Sequence, residues 1–86
     1  MKVRVPSPLR SYTDQRTVVD ATGGTVGEVL ADLDRQFPGL RFRMVDEQGR
    51  VRKHMKIFLN DEATRNLGAP VSESDGMTIV QALSGG

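Results

Sequence analysis

The apolar positions change their spacing along this chain, and each spacing predicts an element. Lys2-Val3-Arg4-Val5 alternates polar and apolar with period two and is closed by Pro6-Ser7-Pro8, which predicts a half-buried first strand with Val3 and Val5 inward. After Leu9 to Tyr12, Thr13-Asp14-Gln15 has turn chemistry. Arg16-Thr17-Val18-Val19-Asp20-Ala21 is rich in β-branched residues and predicts a second strand, paired with the first as a hairpin. Beyond Thr22-Gly23-Gly24 the period becomes helical. Val26, Val29, Leu30, Leu33 and Phe37 fall at i, i+3, i+4, i+7 and i+11 and draw one stripe. Thr25-Val26-Gly27-Glu28 matches a capping box, in which the Thr25 hydroxyl accepts from the N–H near Glu28 and Glu28 reaches back. Pro38-Gly39 ends the helix. The opposite face carries Glu28, Asp32, Asp34, Arg35 and Gln36, of which Asp32 and Asp34 are expected to be solvated.

Leu40 to Val45 fits a short helical turn, and Asp46-Glu47-Gln48-Gly49 is a chain reversal. From Val51 the chain is extended again, with Met55, Ile57 and Leu59 on one strand face and Lys56, Phe58 and Asn60 on the other. Packing the first face on the helix turns Phe58 outward, as a lid on a minor cluster or as an anchor for a partner. Asn60-Asp61-Glu62 turns the chain, Ala63 to Leu67 reads as short and irregular, and Gly68-Ala69-Pro70 breaks it. After Ser74-Asp75-Gly76 comes the last strand, with Ile79 on the core face and Val80 on the outward side with Phe58. Two strands, a helix and then further strands predict an α+β layer architecture.

Composition narrows the functional classes. With 86 residues, 37% of them hydrophobic, the chain has room for one small domain and one core. There is no cysteine, so disulfides, thiolate metal sites and cysteine nucleophiles are excluded. No apolar run approaches the roughly 20 residues of a membrane span, and Met1 to Val5 lacks the apolar block of a signal peptide; a cytoplasmic protein without a membrane partner is expected. The net charge of +1 gives no bulk attraction to nucleic acid. One local excess exists in Arg41, Arg43, Arg50, Arg52, Lys53 and Lys56. That segment lacks tyrosine and tryptophan for base stacking, so a solvated face or a docking patch for an acidic partner is the better interpretation.

Candidate catalytic chemistry is sparse. Thr22-Gly23-Gly24 lacks the Lys-Ser/Thr of a phosphate loop and the third glycine of a dinucleotide fingerprint. Asp32 and Asp34 are two apart on a helix and do not face each other. His54, the one histidine, has no second ligand at metal spacing, and Tyr12, the one tyrosine, fits a core edge. What stands out is the end of the sequence, Leu83-Ser84-Gly85-Gly86, which brings almost nothing that packs. We expect residues 1–82 to form the domain and residues 83–86 a flexible tail. Extended, four residues reach roughly 13 Å, enough to enter a narrow slot in another protein.

A hairpin, one capped helix, further strands and a Gly-Gly end together resemble the ubiquitin-like β-grasp sulfur carriers of the ThiS/MoaD type. The resemblance spans the whole chain. Residues 25–33, the strand and turn Ile57 to Glu62, and the tail Leu83 to Gly86 look most like the cysteine-pathway branch. Gln81-Ala82 stands where molybdopterin-synthase small subunits usually carry Pro-Pro, and Asp75-Gly76 reverses the usual Gly-Asp turn.

The resemblance implies a β-grasp fold, with a mixed sheet of four to five strands under one main helix. It implies a carrier and not an enzyme, with no bound cofactor. ATP is used by an E1-like adenylyltransferase and sulfurtransferase that adenylates the Gly86 carboxylate and converts it to a thiocarboxylate. The acceptor is expected to be a cysteine synthase; the alternatives are a molybdopterin-synthase large subunit, a thiazole synthase, or conjugation of Gly86 to target proteins as a modifier. On this basis Phe58, Val80, Arg52, Lys53 and Lys56 are the candidate docking residues, and Leu83, Ser84 and Gly85 the tail that presents Gly86.

Overall fold

A computed structural model describes residues 1–82. Strands β1 (Lys2–Arg4) and β2 (Val18–Asp20) form the expected antiparallel hairpin, with Val3 opposite Val19. Between them Ser7–Thr13 is a 3-10 helix, which plants Leu9 in the core. The buried Thr13 hydroxyl donates to the Arg16 carbonyl at 2.9 Å, which closes the return to β2. Asp14 and Gln15 are left-handed, at φ 53° and 66°, as the turn chemistry required.

Helix α1 (Val26–Gln36) buries Val26, Val29, Leu30 and Leu33. The Thr25 hydroxyl accepts the Glu28 N–H at 3.2 Å. Glu28 reaches back one residue further than a standard capping box and accepts from Gly24 N–H at 2.7 Å. The remaining first-turn donors go to a distant loop: Val26 N–H donates to Ala69 and Gly27 N–H to Leu67, at 3.0 and 2.8 Å. That loop lies so close that a Cβ on Gly27 would sit 3.1 Å from the Leu67 carbonyl oxygen.

After Gly39, left-handed at φ 95°, α2 (Leu40–Met44) buries Leu40 and Met44. Val45 and Val51 bridge across the Asp46–Gly49 reversal, whose Asp46 carboxylate accepts from the N–H groups of Gln48 and Arg50. Strand β3 (Met55–Leu59) follows, then β4 (Glu62–Thr64), paired with β3 through a turn at left-handed Asn60. The segment expected to be irregular is therefore partly strand: Ala63 lies opposite Phe58. Strand β5 (Gly76–Gln81) completes a mixed sheet in the order β2-β1-β5-β3-β4, parallel to β1 and antiparallel to β3.

One hydrophobic cluster joins Val3, Val19, Ile57, Met77 and Ile79 of the sheet to the buried stripe of α1. Fully burying one such aliphatic side chain contributes about 1.5–3 kcal/mol. The helix therefore lies on one sheet face and leaves the other uncovered by any described element.

The two helix aspartates correct the expectation of a solvated face. Asp32 accepts from Thr22 N–H at 3.0 Å, from Gln36 Nε2 at 2.9 Å and from the Arg35 guanidinium. Asp34 accepts from Gly39 and Arg41 N–H, at 3.1 and 3.2 Å, and so caps the entry to α2. Neither is idle surface charge.

Candidate functional site

β5 is the central strand, held by β1 on one side and β3 on the other. It carries the chain to its last described residues: Gln81 lies opposite Met55, and Ala82 N–H donates to the His54 carbonyl at 2.7 Å. The predicted tail residues Leu83, Ser84, Gly85 and Gly86 lie outside the described residues. What the structure gives is the base from which they continue.

On the uncovered sheet face the register pairs Val80 with Lys56 and Thr78 with Phe58. Val80 is 38% exposed, and Lys56 is exposed. Phe58 shares their face, as its position in the alternation predicted, but it is half-buried between Thr78 and Ala63. Arg4 and Val18 continue the row, so Val18, Arg4, Thr78, Phe58 and Ala63 run across all five strands.

The three basic candidates separate. Lys56 belongs to the uncovered face, and Lys53 sits in the turn before β3. Arg52 reaches from the segment before β3 onto α2: its guanidinium lies 4.6 Å from the Phe42 ring centroid, and its Nε donates to the Phe42 carbonyl at 2.8 Å. Phe42 is 55% exposed. It was missed in the sequence, although a signal was present: if Leu40 and Met44 face the core one turn apart, Phe42 between them must face away. Phe42, Arg43, Arg52 and His54 line a shallow depression of about 220 Å³ beside the base of the tail. Behind it Arg65 donates to the carbonyls of Val51, Arg52 and Met55, which fixes the approach to β3.

The described residues contain no group of three His, Asp or Glu side chains able to hold a metal. The carboxylates held below the usual aspartate range are turn and helix anchors. Asp32 is lowered first by the Thr22 N–H and then by Arg35, Asp46 by the Arg50 N–H, and Asp75 by the Ser72 N–H and the Asn60 amide. None faces another carboxylate as an acid–base pair would. No described helix is long and apolar enough to cross a membrane.

A domain with one uncovered sheet face and a central strand running into Gly-Gly has relatives across its whole length, because residues 3–86 match the ThiS family. The chain belongs to the ThiS family. It is 33% identical to the sulfur carrier protein CysO of Mycobacterium tuberculosis over 89 residues, covering 98% of this chain and 96% of that one. The crystal structure of that CysO matches with a TM-score of 0.89 over 95% of this chain and 98% of the other. CysO in the Amycolatopsis orientalis BexX/CysO complex matches at 0.90, with 32% identity and coverage of 99% and 98%. The small archaeal modifier protein 1 of Haloferax volcanii is 31% identical over the full length of both chains. The fold of this ThiS-family chain is thus the ubiquitin-like β-grasp, with the helix against a mixed five-strand sheet as the element order implied.

Proposed function

We propose that this protein is a sulfur carrier serving cysteine biosynthesis, with the Gly86 carboxylate as its working group. The single observation that carries this is the near-full-length similarity to CysO, whose name describes a sulfur carrier, supported by the matching fold. At neutral pH a carboxylate is a poor electrophile. Attack of Gly86 on the α-phosphate of ATP, in an E1-like partner, would release pyrophosphate and leave an acyl-adenylate. Hydrosulfide then displaces AMP and, losing its proton, leaves a thiocarboxylate, a soft nucleophile for an acceptor such as a cysteine synthase. The catalytic groups belong to those partners; this chain supplies the docking surface and the glycine carboxylate.

Glycine at Gly85 and Gly86 suits this role because a side chain there would fill a narrow channel, and the backbone is free to follow it. Phe58, Val80 and Lys56 on the uncovered face, with Arg52 and Lys53 on its other flank, are proposed as the surface that brings the tail to its partners. Intact-mass measurement after incubation with ATP, a sulfur source and the cognate activating enzyme tests the chemistry. Replacement of one terminal oxygen by sulfur, dependent on ATP, is expected; an unchanged mass would overturn the proposal.

Similarity to the archaeal modifier favours a second use of the same activated end, joining Gly86 to a lysine of a target protein. Tagged protein purified from cells separates the two: conjugates of higher mass indicate modification, and free thiocarboxylate indicates carriage.

A further inference from the structure

The base of the tail is flanked on two sides, and on the second the sequence pointed to Arg52 and Lys53 but not to Phe42. The uncovered sheet face carries Val80 and Lys56. Across the sheet edge, in the helix layer, Phe42 is the most exposed large apolar side chain among the described residues. It is not loose. Arg52 lies over its ring and bonds its carbonyl, while Arg65 holds the Arg52 carbonyl from below. An aromatic ring fixed under a guanidinium costs little conformational entropy on binding, which is how interface anchors behave.

The charge beside the ring is mainly basic, with Asp46 the carboxylate that feels Arg52. Arg43 and Arg52 line the depression with the ring, Lys53 follows Arg52 in the chain, and among the described residues none of the three makes an ion pair, since the two pairs found are Lys2–Asp20 and Arg35–Asp32. The patch also reaches the last described residue, because Ala82 N–H donates to the His54 carbonyl and His54 lines the same depression.

We propose that Phe42 and Arg52, with Arg43 beside them and Lys53 next in the chain, form a docking anchor for the activating enzyme, fitting an apolar slot with an acidic rim at the mouth of the channel that receives the tail. This rests on the sulfur-carrier function above. The choice of that enzyme follows from charge. In the activating step an anionic carboxylate must approach ATP, itself strongly anionic, and the repulsion has to be offset by binding energy from parts of the carrier that do not react. A cationic anchor one short tail away from the carboxylate supplies it. The acceptor step brings no ATP and needs no such offset.

The test is steady-state kinetics of ATP-dependent activation, with the full-length carrier as the varied substrate, followed by sulfur delivery from preformed thiocarboxylate. Phe42→Ala is expected to raise the KM for the carrier about ten-fold with kcat unchanged. The double reversal Arg43→Glu with Lys53→Glu is expected to do the same and to flatten the rise in KM that added salt produces in the unaltered protein. Both sites are on the surface, so melting temperatures should stay close to that of the unaltered chain. An unchanged KM in both variants, with activation intact, overturns the anchor. A defect confined to delivery overturns the choice of partner. If the unaltered carrier is never activated, the sulfur-carrier function itself fails and the anchor with it.

Discussion

The same strands present two faces that differ in almost everything. Toward α1, Val3, Val19, Ile57, Met77 and Ile79 are each 4% exposed or less and belong to one cluster. Away from it, Lys2, Arg4, Lys56 and Val80 stand open, and only Phe58 and Thr78 are half covered. Because side chains alternate along a strand, every second residue is committed to the fold and its neighbours are released from it. β5 shows the consequence. Met77 and Ile79 fix the strand in the middle of the sheet, and Thr78 and Val80, alternating with them, are left on the uncovered face near the last described residues.

The strongest way to break this contrast is to truncate the inner face. Ile57→Ala removes a fully buried side chain from the strand that holds β5 and is expected to cost about 2–5 kcal/mol, read as a lower midpoint in urea at unchanged slope. A loss below about 1 kcal/mol would mean that the core relaxes around the hole and that the inner face is less decisive than its burial suggests.

Next in size is a backbone contact that holds the helix layer. A Cβ on Gly23 would lie 2.7 Å from the Val29 nitrogen and 2.8 Å from the Glu28 carbonyl carbon. These are main-chain atoms of α1 and cannot swing aside. Gly23→Ala should therefore cost about 1–3 kcal/mol by the same measurement, although alanine is otherwise the better-ordered residue. Gly76→Ala is the control for the open side: nothing lies within 4 Å of its added Cβ, and the change should be close to neutral.

Much of this division was legible before the structure. Alternation at Val3 and Val5 and at Met55 and Ile57 identified the inner face, and Thr25 with Glu28 located the start of α1 to the residue. What stayed hidden depends on partners far along the chain. β4 is a strand because Ala63 and Glu62 pair with Phe58 and Leu59, and Glu-Ala-Thr carries no alternation of its own. Leu9 is core because a 3-10 helix turns it inward, a period too short to leave a stripe. Asp32 looked like solvated helix surface until the fold placed Thr22 N–H, ten residues earlier, against it.

Asp32 yields a smaller and pH-dependent effect. Its carboxyl is held below the ordinary aspartate range, first by the Thr22 N–H and then by Arg35. A depressed folded-state pKa gives stability that is complete above the unfolded-state pKa and is lost as pH falls through the folded-state value. Thermal melts should accordingly weaken as pH falls through and below the usual aspartate range, and Asp32→Asn should flatten that limb, lying below the unaltered protein at neutral pH and converging with it in acid. Identical acid limbs in both proteins would show that the three hydrogen bonds at Asp32 contribute nothing to folding, and that the outer side of α1 is as free as the outer face of the sheet.

The smallest expected effect on stability is the one that sharpens the contrast most. Val80 is 38% exposed and sits opposite Lys56 on the outer face, one residue from Ile79, which is 2% exposed. Val80→Ala removes two methyl groups that the fold scarcely uses, so the unfolding free energy should stay within about 0.5 kcal/mol of the original. If the outer face is a docking surface, the same change should raise the KM of the carrier several-fold with its partners, and Phe58→Ala should add to it at some cost in stability because that ring is half-buried. Ile57→Ala would then lose folding while any surviving folded protein docks normally, and Val80→Ala would lose docking while folding normally. Normal docking by Val80→Ala would leave the outer face as plain solvated surface and shift the weight of recognition to the Phe42 side of the tail.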